Sequence, residues 1–399
     1  MTRRPLVAAL VATFAVTTWL VLGSTRPAAA EPLEAIGVAA SPPAAVRSRP
    51  PLRIPEPGHE VYGYVPYWEM DEGIADHVAG TDLSTLAVFS VTHGARGALA
   101  TDQNGYRRIT GDVGRRLIAE AQGRGVRVEL VYTSFGTRKN GVFFTRPDVQ
   151  ARTVEELVGL AVELGVDGIN LDVELLESEH VGAYGAFVWH VRAALRAARP
   201  DGQVSVATMA NRSGAAMARA AADAGADRIF LMGYDYHWAG SGPGASSPLA
   251  RRDGSEKDLP WSLDLYRLAG VPVERTLLGL PLYGMAWETE SPEAGAPASS
   301  RGSVFIPRNN LDLLGDPPGP VFDPLEGVEV LALPEGDGWR TVYFDSPASL
   351  TPKLALANAH GLAGAGFWAI GYERGLPDYT ALIGRFRAGQ LETAGTTTP

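Results

Sequence analysis

The chain has 399 residues, 45% of them hydrophobic and 20% charged, with 46 Gly, 29 Pro, no Cys and a formal net charge of −10. That balance belongs to a folded globular chain and excludes the disordered, collagen-like and disulfide-built classes. Without Cys there is no thiolate metal site, iron–sulfur cluster, thiol nucleophile or lipid anchor on Cys, and an acidic chain with no Lys/Arg-rich run is a poor match for nucleic acid.

In chain order, residues 1–30 read as a signal peptide. Arg3 and Arg4 form a basic start, residues 6–22 are uncharged and mostly apolar, and Ala28-Ala29-Ala30 offers small residues for cleavage. This implies a secreted, extracytoplasmic protein with no stable membrane insertion once the segment is removed. The competing reading is an uncleaved anchor, although the apolar run of seventeen residues falls short of the ~20 that span a bilayer. Residues 31–57 are rich in Pro, Ala and Arg without any period and read as a linker, and residues 389–399 read as a disordered tail.

Between residues 58 and 388, apolar strand-like segments begin near Val61, Thr85, Val126, Gly168, Val204, Arg228, Thr276 and Gly364, and most lead into an amphipathic stretch. Thr153 and Glu156 have the spacing of a capping box ahead of Val154, Leu157, Ala161 and Leu164, with Gly165 as the stop. Tyr184, Phe187, Val188, Val191 and Leu195 recur at helical spacing until Pro200 ends them. Eight strands interleaved with helices predict an α/β fold of the (β/α)8 TIM-barrel type, with an open doubly wound sheet as the runner-up. Residues 288–345, between the seventh and eighth strands, are too many for an ordinary loop. Ser303-Val304-Phe305-Ile306, Val328-Glu329-Val330-Leu331 and Thr341-Val342-Tyr343-Phe344 alternate apolar and polar, so a small inserted α+β subdomain is expected there as one wall of a cleft.

The chemistry concentrates on the fourth strand, Asp167-Gly168-Ile169-Asn170-Leu171-Asp172-Val173-Glu174. Side chains alternate across a strand, so Ile169, Leu171 and Val173 share one face and Asn170, Asp172 and Glu174 the other. In a barrel the apolar face packs on helices and the polar face points inward, with Glu174 at the C-terminal end where barrel active sites form. Crowded inward carboxyls raise one another's pKa, which prepares a general acid. The plainer reading is the solvent face of an edge strand, which the spacing alone leaves open.

DGINLDVE resembles the fourth-strand D-G-x-D-x-D-x-E motif of glycoside hydrolase family 18, the chitinase and N-acetylglucosaminidase family, with Asn170 where the family usually has Asp. Four further segments agree in order: Gly63-Tyr64 to Trp68 with the first strand, Met232-Gly233-Tyr234-Asp235 with the sixth, Gly279-Leu280-Pro281-Leu282-Tyr283-Gly284 with the seventh, and Gly366-Phe367-Trp368 with the eighth. The resemblance covers residues 58–388 as one catalytic barrel. It implies that Glu174 is the general acid and base, that the substrate's own 2-acetamido oxygen is the nucleophile, and that the anomeric configuration is retained. Asp172 would orient the acetamido N–H and help set the pKa of Glu174, Tyr234 would donate to the acetamido oxygen, and Asp235 would contact the sugar or the reacting group. Trp368 would floor the sugar site, with Tyr64, Trp68, Met232 and Tyr283 around it. Trp339 suits a sugar contact and a subdomain core equally.

Two departures bear on substrate. Asn170 removes a charge beside Asp172, and Ser134-Phe135-Gly136-Thr137 only partly matches the S-x-G-G of typical chitinases. The fourth-strand Asn resembles the branch of the family that cuts bacterial cell-wall or spore-cortex glycan, and both departures favour peptidoglycan or another N-acetylglucosamine polysaccharide as the expected partner of a monomer. The seven His show neither H-E-x-x-H nor H-x-H spacing, so no metal and no cofactor is expected. His237 reads as structural, and the Gly-rich residues 240–244 as a rim loop without phosphate-loop chemistry. Asp167 reads as a structural hydrogen-bonding residue where the fourth strand begins. The alternative function is a non-catalytic carbohydrate-binding protein or inhibitor on the same barrel, against which the presence of Glu174 argues.

Overall fold

In the computed structural model, which describes residues 58–315 and 319–391, eight parallel strands close into a barrel. The first seven are β1 (Glu60–Pro66), β2 (Thr85–Thr92), β3 (Arg127–Phe135), β4 (Gly168–Glu174), β5 (Gln203–Met209), β6 (Arg228–Met232) and β7 (Thr276–Pro281). An insertion follows with β8 (Gly284–Thr289), β9 (Ser303–Phe305), β10 (Val321–Asp323), β11 (Val328–Glu335) and β12 (Gly338–Phe344), after which β13 (Gly364–Trp368) closes the ring between β7 and β1. Every crossover between neighbouring barrel strands passes through at least one helix, and the closed ring excludes the open sheet. The signal-peptide and linker readings, and residues 392–399 of the expected tail, lie outside the described residues. Among the described residues no helix is long and apolar enough to cross a membrane.

The alternation seen in the strands builds two apolar layers. Ile169, Leu171 and Val173 are buried against the helices, as is the same face of each neighbouring strand. Tyr62, Tyr64, Ala87, Phe89, Val131, Ala207, Phe230 and Leu277 fill the interior of the ring. Burial of each large apolar side chain contributes about 1.5–3 kcal/mol, so a one-residue slip of any strand would turn both layers inside out.

The helices hold one correction. The helix Pro147–Leu164 starts with Pro at its first position and Asp148 in its first turn, six residues ahead of Thr153. The Thr153 hydroxyl instead donates to the carbonyls of Gly97 and Val149, each at 2.9 Å, and Glu156 accepts from the Leu99 N–H at 2.7 Å. The pair that looks like a cap therefore ties the helix to the loop after β2. Its C-terminus is as expected, with Gly165 left-handed at φ 68°. The helix Val181–Ala198 buries Tyr184, Phe187, Val188, Val191 and Leu195, the face that the spacing predicts.

The insertion is an antiparallel sheet in the order β10-β11-β12-β8-β9, with Ala286, Phe305, Leu331, Val342 and Phe344 as its core. It begins at Gly284, earlier than the expected residue 288, because only Leu282 and Tyr283 separate β7 from β8. The chain turns there as the Leu282 N–H donates to the Trp368 carbonyl at 2.7 Å, and Gly284 lets β8 approach β12: a Cβ at that position would lie 2.3 Å from the Tyr343 carbonyl oxygen. Trp339 is half-buried on β12, across from Thr289 and Pro334.

Candidate active site

The interior of β4 carries the acids. Its register places Asp172 opposite Thr133 of β3 and Ala207 of β5, two small neighbours that leave the carboxyl room. Asn170 and Asp172 are 0% and 5% exposed, and Glu174 is half-buried at the strand's C-terminal end. The backbone of Glu174 is pinned from the β3 side. Its carbonyl accepts from the Asn140 side-chain amide at 2.6 Å and the Gly136 N–H at 3.2 Å, while Ser134 donates to Asn140 at 2.6 Å. Gly136 meets this geometry at φ 100°, which favours glycine.

Tyr234 and Asp235 follow β6 after the single residue Gly233. Among the described residues only Leu175 and Asp235 are left-handed without being glycine, at φ 59° and 62°. One follows Glu174 and the other Tyr234, so the two strands that deliver polar groups end in the costly backbone geometry found at functional sites. The Tyr283 hydroxyl donates to the Asp235 carboxylate, and the Asp235 N–H donates to Ser246 at 3.0 Å. Ser246 in turn donates to Tyr283 at 3.2 Å. Tyr283 thus anchors Asp235, and its ring stands edge-on to Tyr234 at 6.2 Å.

Burial dominates the electrostatics. Glu174 is pushed up to about 7, first by burial and then by the charge of Asp235. Asp172 is driven well above the usual carboxylate range by burial and by Glu174. Asp235 is also raised by burial, against the pull of the Tyr283 hydrogen bond. The sequence reading made Asp172 the setter of Glu174. Asp172 and Glu174 do bear on one another, and Asp235 from the β6 side adds a charge that the sequence reading did not assign to Glu174. The Tyr64 hydroxyl, Asn170 Oδ1 and Asp172 Oδ1 are all buried without a hydrogen-bond partner. A Glu titrating near 7 beside such unsatisfied groups is suited to proton transfer at neutral pH.

An aromatic floor lies next to the acids. Trp368 packs on Phe89 at 4.7 Å, Tyr64 at 5.6 Å and Trp68 at 6.2 Å between ring centroids. Trp68 is 48% exposed and its indole N–H donates to the Tyr372 hydroxyl at 3.0 Å, which holds the ring as a free face. Met232 is buried in the same interior cluster as Tyr64 and Trp368.

All ten residues expected at the site therefore converge on the C-terminal end of the ring. Phe89, Asn140, Ser246 and Tyr372 join them without having been expected, and nothing in their local sequence distinguishes them from ordinary core or loop residues. His237 is buried with Nδ1 against the Gly242 carbonyl at 2.8 Å, so it shapes the Gly-rich loop as a structural residue. Asp167 accepts from the Val128 N–H at 2.9 Å where β4 begins, the structural role expected of it. Among the described residues, Glu177, Glu179 and His180 bring three ligand-type atoms within 4.8 Å of one another, an acidic surface group of a common kind.

A closed ring with acids at the C-terminal end of β4 beside an aromatic floor defines a (β/α)8 protein with an enzyme-like site. Residues 115–373 match the model of glycosyl hydrolases family 18, and the chain belongs to that family. It is 24% identical to a cortical fragment-lytic enzyme of Bacillus anthracis over 254 residues, which is 60% of this chain and 54% of the relative. The chain thus spans about half the length of that relative. The crystal structure of the spore cortex-lytic enzyme SleL of Bacillus cereus superimposes with a TM-score of 0.67 at 19% identity, covering 82% of this chain and 74% of that one. The group IV chitinase of Ostrinia furnacalis in complex with allosamidin gives 0.72 at 18% identity, covering 84% of this chain and all of that one.

Proposed function

We propose that this chain hydrolyses β-linked N-acetylglucosamine glycans with retention of configuration, and that bacterial peptidoglycan is its substrate. The observation that carries the reading is Glu174, a half-buried carboxyl at about 7 on the C-terminal end of β4, beside Asp172, which burial drives above the usual carboxylate range and whose Oδ1 has no partner. In the reaction Glu174 gives its proton to the glycosidic oxygen as the bond to the anomeric carbon breaks. The acetamido oxygen of the same sugar closes onto that carbon, with its N–H received by Asp172 and its oxygen steadied by Tyr234. Water then attacks, Glu174 takes its proton, and the ring reopens. Trp368 supports the apolar face of the sugar and Trp68 the next ring along. Peptidoglycan is favoured over chitin by Asn170, by the partial third-strand motif, and by relatives named for cortex lysis. The expectation of a signal peptide in residues 1–30 supports this reading, since an extracytoplasmic protein would meet that polymer.

Wild type and Glu174→Gln are incubated with chitin oligomers and with purified peptidoglycan, and new reducing ends are identified by mass. N-acetylglucosamine ends from peptidoglycan, absent with Glu174→Gln, are expected. Cleavage of chitin alone defeats the cell-wall reading, equal release by the variant defeats the role of Glu174, and wild-type binding without release makes the chain a carbohydrate-binding protein.

A further inference from the structure

One buried acid in the ring has no part in this mechanism. Glu129 lies on β3 and is 1% exposed, one layer below the β4 carboxyls. It fits because β4 starts with Gly168: a Cβ there would sit 3.0 Å from Glu129 Cγ and 2.6 Å from the Gln203 carbonyl oxygen. One carboxylate oxygen of Glu129 accepts from the Tyr62 hydroxyl at 2.6 Å and from the Ser205 hydroxyl. Ser205 Oγ in turn accepts from Asn170 Nδ2 at 2.7 Å.

The proton count gives this chain a direction. Ser205 has a single hydroxyl proton, and with that proton on Glu129 the atom of Asn170 that meets Ser205 must be a donor, Nδ2. The amide oxygen of Asn170 is then left for other groups. It is buried without a partner, as are Asp172 Oδ1 and the Tyr64 hydroxyl. Asn170 and Asp172 stand two residues apart on the inward face of β4, with Tyr64 of β1 bearing on both; an amide oxygen only accepts, so it suits a protonated Asp172 and opposes an ionised one. We propose that Glu129 is a positioning residue which, through Ser205, sets the end of the Asn170 amide presented to Asp172 and with it the proton on Asp172. When Glu129 takes up a proton from solvent, its own O–H can donate to Ser205, whose proton turns to Asn170 Oδ1. The amide turns over, Nδ2 then stabilises the Asp172 carboxylate that receives the acetamido N–H, and the proton that Asp172 gives up passes to Glu174 beside it, so the net uptake is the one proton on Glu129.

Burial lifts Glu129 to about 7, against the hydrogen bonds from Ser205 and Tyr62, so both states are within reach near neutral pH. Arg127 on β3 pulls it down and Glu60 on β1 pushes it up, the latter paired with Arg228 of β6 at 2.5 Å. The groups that bear on Asp172 itself are Glu174 beside it, Tyr64 from β1, Tyr184 from the helix after β4 and Tyr234 from β6.

The catalytic consequence rests on the hydrolase reading, whereas the amide orientation does not, and the experiment separates them. In the full chain labelled with 15N-asparagine, the Asn170 side-chain resonance, assigned by its loss in Asn170→Asp, is followed between about pH 5 and 9. It is expected to titrate near 7 in wild type and to stop titrating in Glu129→Gln and in Ser205→Ala, while Tyr62→Phe, which keeps the Ser205 link, still titrates. In turnover of the glycan, Glu129 and Glu174 both lose protons on the alkaline side, so log(kcat/KM) falls with a slope approaching about −2 in wild type and about −1 in either variant, with no further change in the double variant. An Asn170 titration unaltered by Glu129→Gln, or superimposable pH profiles, overturns the proposal. A wild type that cleaves no glycan defeats the hydrolase reading, and the resonance still decides the orientation.

Discussion

The two ends of the barrel use the same residue types for opposite ends. Where the strands begin, each acid has partners: Glu60 pairs with Arg228 at 2.5 Å, and Asp167 meets the Val128 N–H at 2.9 Å, Gln122 at 3.0 Å and Arg199 at 3.4 Å. Asp227 likewise binds the Val204 N–H at 2.9 Å and Arg196 at 2.8 Å. Where the strands finish, burial raises Asp172, Glu174 and Asp235, and no cation contributes to the shift of any of them. A carboxyl paired with a cation or a backbone N–H clamps adjacent strands, while one buried away from any cation is pushed toward holding a proton that it can deliver. The difference lies in the neighbours, since the residue types are shared.

The largest test of that contrast is Glu174→Gln, which is expected to lower kcat by about 10³-fold or more while oligosaccharide affinity, measured by calorimetry, stays within a few-fold. The same variant reports on stability. Glu174 has a folded pKa of about 7 against an ordinary 4.5, so the folded state binds more protons, and the stability this confers is present below 4.5 and lost as pH rises through 7. Glu174→Gln should therefore gain on wild type in thermal midpoint between those values and keep that gain at higher pH. An unchanged difference across that range would show that the acid is not held against its charge.

At the opposite end, Asp167→Ala should cost about 3 kcal/mol in urea unfolding, since it leaves the Val128 N–H and Arg199 without their acceptor, and the pH profile of activity should stay where it is. A moved profile with intact stability would erase the distinction between the ends. Asp235→Asn sharpens it: without that negative charge Glu174 loses its proton at lower pH, so the alkaline limb of kcat/KM should move down by roughly 0.5–1 unit. An upward move would mean that Asp235 lowers the Glu174 pKa. The smallest effect is expected from Trp68→Ala, a half-exposed ring at the edge of the floor, with a loss of about 1 kcal/mol appearing in KM and not in kcat.

Much of this was legible in the chain because strands and their faces follow from local alternation. All eight barrel strands start within one residue of their expected positions, and the ten expected site residues lie together. Two local readings failed where a contact distant in sequence outweighed the pattern. Thr153 and Glu156 have cap spacing, yet they bond to residues 97 and 99, and Pro147 starts the helix instead. The insertion begins at Gly284 because β8 pairs with β12, more than fifty residues later in the chain. Glu129 did leave a trace, as a single acid inside the apolar run RVELVYTSF, but its partners lie on β1 and β5 and nothing local names them.

The sequence by itself determined the number of strands, the inward face of β4 and the identity of the acids, since period and residue type are local properties of the chain. Only the tertiary structure decided how strongly each of those acids is pushed toward holding a proton. That depends on Asp235 arriving from β6 and on Asp172 lying, among the described residues, where no cation offsets its burial, and we propose that it also depends on the run from Glu129 through Ser205 to Asn170 across three strands. Burial and through-space charge are set by neighbours distant in sequence, so they exist only once the ring has closed.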